Sequence, residues 1–241
     1  MSAVAAPNPS ARTAGAPSSR GDRPAPGRAA RSGVAVAAVV AAGAAALLLG
    51  AATEVGQGVL PTAWGPLAGS VAAWAVIPAL LAGVVVSATG WRGRRAEGLG
   101  AVSGLVATEA LVAGYYGWAA LVSGTPHAVA SVAVWAGAGV VSGALVGACA
   151  AAVAAGSGHV RGAALGLLGA LVLADGLRSV LLFPWQAAGG WLFVVSGVLV
   201  ATLLPRRGER TAAGLVLVCS LALGAGGYAV LDAVVTLAGS R

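Results

Sequence analysis

Seven runs of apolar residues follow one another from residue 33 to residue 237, and they constrain the fold more than any other feature of the chain. A helix rises about 1.5 Å per residue, so about 20 apolar residues cross a hydrocarbon layer about 30 Å thick. Because 59% of the 241 residues are hydrophobic and 9% are charged, one soluble core could not bury this much apolar surface. The sequence therefore predicts an all-α, polytopic transmembrane helical bundle of about seven spans, with the lipid bilayer as its main partner. The predicted spans are 33–52, 66–89, 98–122, 130–155, 162–183, 188–204 and 211–237.

Residues 1–32 differ from the rest, because they carry five prolines and five arginines and show no hydrophobic period. Such a segment cannot bury enough apolar surface to offset the entropy of ordering. We therefore expect a disordered, Arg/Pro-rich cytoplasmic tail at 1–32 and a transmembrane domain at 33–241. Within that domain, Pro78 predicts a break or kink in the second span.

The arginines indicate which way the spans run. Those of the tail and of the second, fourth and sixth connections are Arg12, Arg20, Arg23, Arg28, Arg31, Arg92, Arg94, Arg95, Arg161, Arg206, Arg207 and Arg210. The first, third and fifth connections contain no arginine. Since cytoplasmic loops are enriched in basic residues, the N-terminus is predicted in the cytoplasm and the C-terminus outside, with the chain in the plasma membrane. Trp64, Trp118, Trp185 and Trp191 then gather at the outer boundary, which amphipathic rings prefer.

Several function classes find no support in the sequence. The net charge of +7 could indicate nucleic-acid binding, but the arginines are not interleaved with aromatic residues on one folded face. The chain has no HExxH, GxSxG, P-loop or CxxC motif. His127 and His159 fall in connections on opposite sides of the membrane, so a histidine-based metal site cannot assemble. We expect no nucleic-acid partner, no catalytic residues, no metal or other cofactor, and therefore no enzyme.

Glu109 is the charged residue predicted nearest the middle of a span, where a charge costs about 2.5 to 3.5 kcal/mol on insertion scales. Tyr115 and Tyr116 lie about two turns further along the same helix. One interpretation is a proton-carrying or cation-binding carboxylate at the bottom of an outward-facing cavity. The other is a protonated acid that hydrogen-bonds to a Thr or Tyr of a neighbouring helix.

Asp175 and Arg178 are three residues apart in the fifth span, so they share one helix face in its outer half. They form either a self-neutralising ion pair or, through the arginine, part of a substrate site. Glu54 and Asp232 are expected at the outer boundary, in contact with solvent. The predicted intramembrane polar site is Glu109, Asp175, Arg178, Tyr115 and Tyr116.

Small residues form the other strong pattern. Gly139, Gly143 and Gly147 follow one another every fourth residue in the fourth span, which clears a helix face for close backbone contact. That contact lies either inside the chain or between chains, so one prediction is a homo-oligomer or membrane partner bound through these three glycines. Cys149 and Cys219 lie in apolar runs and are expected to be unpaired.

Short internal similarities suggest parallel repeats of two helices. SVAAWA at 70–75 matches SVAVWA at 131–136, near the outer ends of the second and fourth spans. ATE at 52–54 and at 107–109 matches LAD at 173–175 in the odd-numbered spans. Chance matches are also common in a chain this rich in Ala and Val, so both explanations stay open.

Four short stretches carry a family resemblance: TEVGQGVLPTAW at 53–64, GYYG at 114–117, LADGL at 173–177 and GYAVLD at 227–232. With them the chain resembles a family of multi-pass integral membrane proteins of unknown function from high-GC Gram-positive bacteria. Asp175 stands where that family more often has Glu. The resemblance implies an integral membrane protein and supplies no assigned site.

Two functions follow from these patterns. The first is a non-enzymatic structural or interaction component of the membrane. The alternative is a small secondary transporter or permease that uses intramembrane carboxylates. Convergence of Glu109, Asp175 and Arg178 on one hydrated cavity would favour transport, whereas neutralisation of each by a neighbour in a dry bundle would favour the structural role.

Overall fold

A computed structural model of the chain describes residues 28–239, with the backbone alone at Arg28 and at several positions beyond residue 227. The long helices are α1 (Arg28–Val59), α2 (Val71–Thr89), α3 (Gly93–Leu121), α4 (Val129–Ala155), α5 (Gly158–Leu182), α6 (Ala187–Leu203) and α7 (Arg210–Gly239). Seven helices within the described residues are long and apolar enough to cross a membrane, which confirms the predicted all-α fold. The predictions for residues 1–27 and for the Asp232 side chain lie outside the described residues.

Helix α1 is longer than its apolar run. It begins at Arg28, so residues 28–32 are helical instead of belonging to the predicted disordered tail. Alanine and arginine favour a helix there, and the last proline of the tail, Pro26, precedes the first helical residue by two positions. At the other end α1 continues past residue 52 to Val59 and stops just before Pro61, which disfavours helical backbone in the preceding residue.

The second apolar run is interrupted at Ser70 and not at Pro78, and the kink at Pro78 stays a prediction. A short helix, Pro66–Gly69, precedes Ser70, whose extended backbone and side chain cap α2 by accepting a hydrogen bond of 3.1 Å from the N–H of Ala73. Helix α2 continues through Pro78, which is buried. One missing N–H bond does not end a helix that neighbours pack against on several sides.

Glycine faces bring the backbones of α3 and α4 into direct contact. A Cβ added at Gly104 would overlap the carbonyl of Gly143, and one added at Gly147 would overlap the carbonyl of Gly100. The face of Gly139, Gly143 and Gly147 is therefore occupied inside the chain by α3. Of the two contacts that the spacing allowed, the one inside the chain is present. A homo-oligomer or membrane partner stays a prediction.

The same kind of contact joins the other helices into two groups around α3 and α5. A Cβ on Gly114 of α3 would overlap the carbonyl of Leu47 in α1, and one on Gly166 of α5 would overlap that of Ala213 in α7. Helix α6 packs closely on α5, while α4 and α2 join the two groups. The bundle thus depends on backbone proximity more than on large apolar side chains.

Loop contacts separate the two ends of the bundle. The arginine-bearing connections meet at one end, the arginine end, where Arg92 donates to the carbonyl of Ala155 at 3.3 Å and Arg161 to that of Leu204 at 3.4 Å. The arginine-free connections meet at the other end, the tryptophan end, where the turns Thr62–Trp64 and Pro184–Gln186 touch. This alternation is what seven consecutive spans require.

Candidate functional site

A cavity of about 310 Å³ opens at the tryptophan end between α1, α2, α3 and α4. We call it the aromatic pocket, because five of its ten lining residues carry an indole, phenol or imidazole ring. Its lining residues are Gln57, Gly69, Ser70, Val71, Trp74, Tyr115, Tyr116, His127, Ser131 and Trp135. Tyr115 and Tyr116 belong to the predicted polar site, whereas the other lining residues do not.

The rings are placed by four separate elements of the chain. Trp74 comes from the first turn of α2 and Trp135 from the second turn of α4, and their ring centroids lie 6.2 Å apart. Tyr115 and Tyr116 lie near the end of α3, with ring centroids 5.0 Å apart. His127 lies in the connection before α4, 5.0 Å from the ring of Tyr116, and is exposed to solvent. The imidazole therefore lies at the mouth of the pocket.

Hydrogen bonds hold the α1 side of the pocket in place. The Tyr115 hydroxyl donates to Oε1 of Gln57 at 3.0 Å, and Nε2 of Gln57 donates to the carbonyl of Ala68 at 3.2 Å. The indole N–H of Trp74 donates to the same carbonyl at 3.3 Å. These three bonds connect α1, α2, α3 and the short helix before α2, so two of the rings are fixed before any ligand binds.

Asp175 lies away from the pocket lining and has a structural partner. Its side chain is 2% exposed, and its Oδ2 accepts a hydrogen bond of 2.9 Å from the N–H of Ala72, in the first turn of α2. Ser70 satisfies the next N–H, that of Ala73. A carboxylate at a helix N-terminus is stabilised both by the free N–H groups and by the helix dipole. Asp175 therefore acts as a cap supplied by α5 to α2.

Arg178 lies in a different part of the bundle. Its guanidinium carbon is 5.1 Å from the ring centroid of Phe183, and the residue lines a crevice of about 450 Å³ between α5 and α7. The ion pair between Arg178 and Asp175 stays a prediction. Neither residue lines the aromatic pocket.

Glu109 lies below the aromatic pocket, on the side of α3 that faces α4. A Cβ added at Gly139 would lie 2.6 Å from its Oε1, so the carboxylate rests against that glycine. Among the described residues this oxygen is buried and has no hydrogen-bond partner. The adjacent Thr108 on the same helix donates to the carbonyl of Gly104 at 2.8 Å.

A narrow apolar cleft of about 150 Å³ lies next to the pocket. It shares Val71, Trp74 and Trp135 with the pocket and continues between α3 and α4, past Thr108 of α3 and Gly139 of α4, the glycine that Glu109 contacts. The predicted five-residue site is thus divided: the two tyrosines line the pocket, Glu109 lies beside the adjoining cleft, and Asp175 and Arg178 lie on α5.

The sequence contained a signal for the residues that were missed. Ser70, Val71 and Trp74 come from SVAAWA, and Ser131 and Trp135 come from SVAVWA. Both copies of the repeated motif therefore line the same cavity. Gln57 and His127 carried no comparable pattern.

A second polar contact lies at the arginine end. Arg161 forms an ion pair of 2.5 Å with Glu209, whose other donor is the N–H of Arg206 at 2.9 Å. Arg161 also donates to the carbonyl of Val153 at 3.2 Å. This group ties α4, α5 and the connection before α7 together. Among the described residues, no three His, Cys, Asp or Glu side chains are grouped so that they could hold a metal ion.

Comparison with known proteins gives a family but no relative of known activity. The model of a family described as "Family of unknown function (DUF6518)" matches residues 28–234, the whole helical bundle up to the last turns of α7. No curated protein and no solved structure matches the chain.

Proposed function

This chain belongs to DUF6518, a family of unknown function, and from that premise we propose that it is a multi-pass plasma-membrane protein that acts by binding rather than by catalysis. Its N-terminus is cytoplasmic and its C-terminus lies outside, so the aromatic pocket opens to the outer face. The observation that carries this proposal is the pocket itself. Four segments of the chain converge there on a cavity of about 310 Å³ with hydrogen-bonded walls, the size and character of a small-molecule site.

The orientation has support at both ends of the bundle. Arginines occupy the connections that meet at one end, and exposed tryptophans gather at the other. Reporter fusions after Thr125 and after Arg207 are expected to report opposite sides, with residue 207 in the cytoplasm. The same side for both fusions would contradict the seven-span topology.

Cysteine labelling tests whether the pocket is an outward-facing binding site. In a Cys149→Ser, Cys219→Ser background, Ser131→Cys should react with a membrane-impermeant methanethiosulfonate added outside. Ser103→Cys should not react, because Ser103 is fully buried. The reaction at position 131 should slow when a small organic compound of one charge class occupies the pocket. The cationic, neutral and anionic classes are represented by choline, 3,3-dimethylbutan-1-ol and 3,3-dimethylbutanoate. Labelling from the cytoplasmic side only, or no protection by any class, would refute the proposal.

A secondary transporter that uses an intramembrane carboxylate is the second candidate, because one observation favours it. The apolar cleft adjoins the aromatic pocket and passes Gly139, which the buried Oε1 of Glu109 contacts. That oxygen has no hydrogen-bond partner among the described residues. A carboxylate in that place suits proton or cation coupling. In proteoliposomes, Glu109→Gln should then abolish solute or proton flux that the wild type supports. Flux that is indifferent to this change would exclude carboxylate coupling.

A further inference from the structure

The aromatic rings of the pocket wall are steeply inclined to one another. The ring planes of Trp74 and Tyr115 meet at 67°, those of Tyr115 and Tyr116 at 87°, and those of Tyr116 and His127 at 84°. Trp135 closes the opposite side at 45° to Trp74. The rings that line the cavity therefore stand at steep angles to one another instead of stacking in one direction. Each ring face carries partial negative charge and attracts a cation within about 6 Å of its centroid.

The ionised groups around the pocket act in the same direction. Glu54 lies one turn before Gln57 on α1, is half-buried, and is close enough to interact electrostatically with the Tyr115 hydroxyl. No arginine is among the described residues that line the pocket. Arg178 lines the separate crevice between α5 and α7. A cation in the pocket thus lies among aromatic rings, with the Glu54 carboxylate near the Tyr115 hydroxyl and no arginine in the described lining.

We propose that the aromatic pocket binds an organic cation through its ammonium group, held between the faces of Trp74, Trp135, Tyr115 and Tyr116. This inference rests on the proposed binding function and names its ligand class. A substituted ammonium fits better than a metal ion, because rings attract a diffuse positive charge but replace few of the oxygen ligands of a hydrated metal. The cavity also has room for a group larger than a single ion.

The ammonium group has two sources at this depth, a soluble cation or the headgroup of a lipid such as phosphatidylethanolamine. Both present the same chemistry to the rings. The tryptophan end lies at the predicted interface, so a headgroup could enter laterally and a soluble cation from outside. The experiment below therefore includes an arm for each source.

The test compares choline with 3,3-dimethylbutan-1-ol, which has the same shape and no charge. Isothermal titration of the wild-type protein in phosphatidylglycerol nanodiscs should give choline an affinity at least about tenfold higher than that of the alcohol. Equal affinities, or tighter binding of the alcohol, would overturn the proposal. Adding phosphatidylethanolamine to the nanodiscs should weaken choline binding if the headgroup competes, and should leave it unchanged if the ligand is soluble.

Variants test whether the ring faces carry the preference. Trp135→Leu should remove most of the preference for choline over the alcohol. The matched control Trp191→Leu, at an exposed site on α6 outside the pocket, should keep it. If Trp135→Leu does not fold, biosynthetic 5-fluorotryptophan keeps the ring shape but weakens the negative face, and should lower the affinity for choline alone. Glu54→Gln should also weaken choline binding without affecting the alcohol.

The two proposals fail in different ways. If the alcohol or the carboxylate protects Ser131→Cys while choline neither protects nor binds, the pocket is a binding site and the ammonium inference is wrong. If no compound of any charge protects that cysteine, the binding function itself is refuted.

Discussion

Asp175→Ala is the substitution that most directly tests how α2 is held beside the pocket. The carboxylate is 2% exposed and accepts a 2.9 Å hydrogen bond from the N–H of Ala72. A hydrogen bond to a charged group contributes about 1.5 to 3 kcal/mol, and a charge at a helix N-terminus adds about 0.3 to 1 kcal/mol. We therefore expect the free energy of unfolding to fall by about 2 to 4 kcal/mol.

The isosteric variant Asp175→Asn distinguishes a cap from an ion pair. Asparagine keeps an oxygen acceptor for the N–H of Ala72 and loses only the charge, so its cost should be about 1 kcal/mol. If the main role of Asp175 were instead to pair with Arg178, asparagine would cost as much as alanine, since neither can neutralise a guanidinium. Under the cap interpretation, Arg178→Met should be less destabilising than Asp175→Ala.

The assay is reversible unfolding in mixed micelles by increasing SDS, followed by tryptophan fluorescence. Ser70→Ala, which removes the neighbouring cap bond to Ala73, provides a reference of about 1 kcal/mol. Because α2 carries Val71 and Trp74 into the aromatic pocket, Asp175→Ala should also weaken ligand binding there. Equal stabilities of Asp175→Ala and the wild type, or equal costs for alanine and asparagine, would refute the capping argument.

Two further predictions use the same unfolding assay. Gly104→Ala should lower the free energy of unfolding by about 1 to 3 kcal/mol, because the new Cβ overlaps the backbone of α4. Gly83→Ala should raise it by about 0.5 to 1 kcal/mol, because no heavy atom lies within 4 Å of the new Cβ and alanine favours the helix. Equal effects of the two substitutions would contradict the backbone contact. Glu209→Gln should lower the free energy of unfolding, since the Arg161 side chain is only 16% exposed and would lose its charged partner. An unchanged free energy of unfolding would mean that solvent screens the pair.

The spans and their alternation could be predicted from the sequence, because length, apolarity and arginine placement each act locally. The predicted helix ends were less accurate, since α1 continues through Glu54 and Gln57 and stops at Val59, two residues before Pro61. Hydropathy indicates which residues favour the hydrocarbon layer, but it does not indicate the residue at which a helix ends.

The candidate site was predicted less well, because the sequence gives the depth of a residue along its helix but not which neighbouring helix its side chain contacts. Asp175 was predicted at a depth that could join a polar site, but it faces the start of α2. Helices α3 and α4, which both line the pocket, make direct backbone contact at Gly104 and Gly143, and hydropathy does not reveal such a contact. The predicted Tyr115 and Tyr116 and the repeated Ser and Trp of the SVAxWA motif were the features that marked its location.

The direct contact between α3 and α4 also has a consequence for how this gene can vary. A missense change in a glycine codon introduces a side chain, and at Gly100, Gly104 or Gly147 that side chain would meet main-chain atoms of the facing helix. Gly83 and Gly117 have no heavy atom within 4 Å of a new Cβ. Random mutagenesis with selection for folded protein should therefore deplete substitutions along the α3–α4 seam and accumulate them at the open glycines.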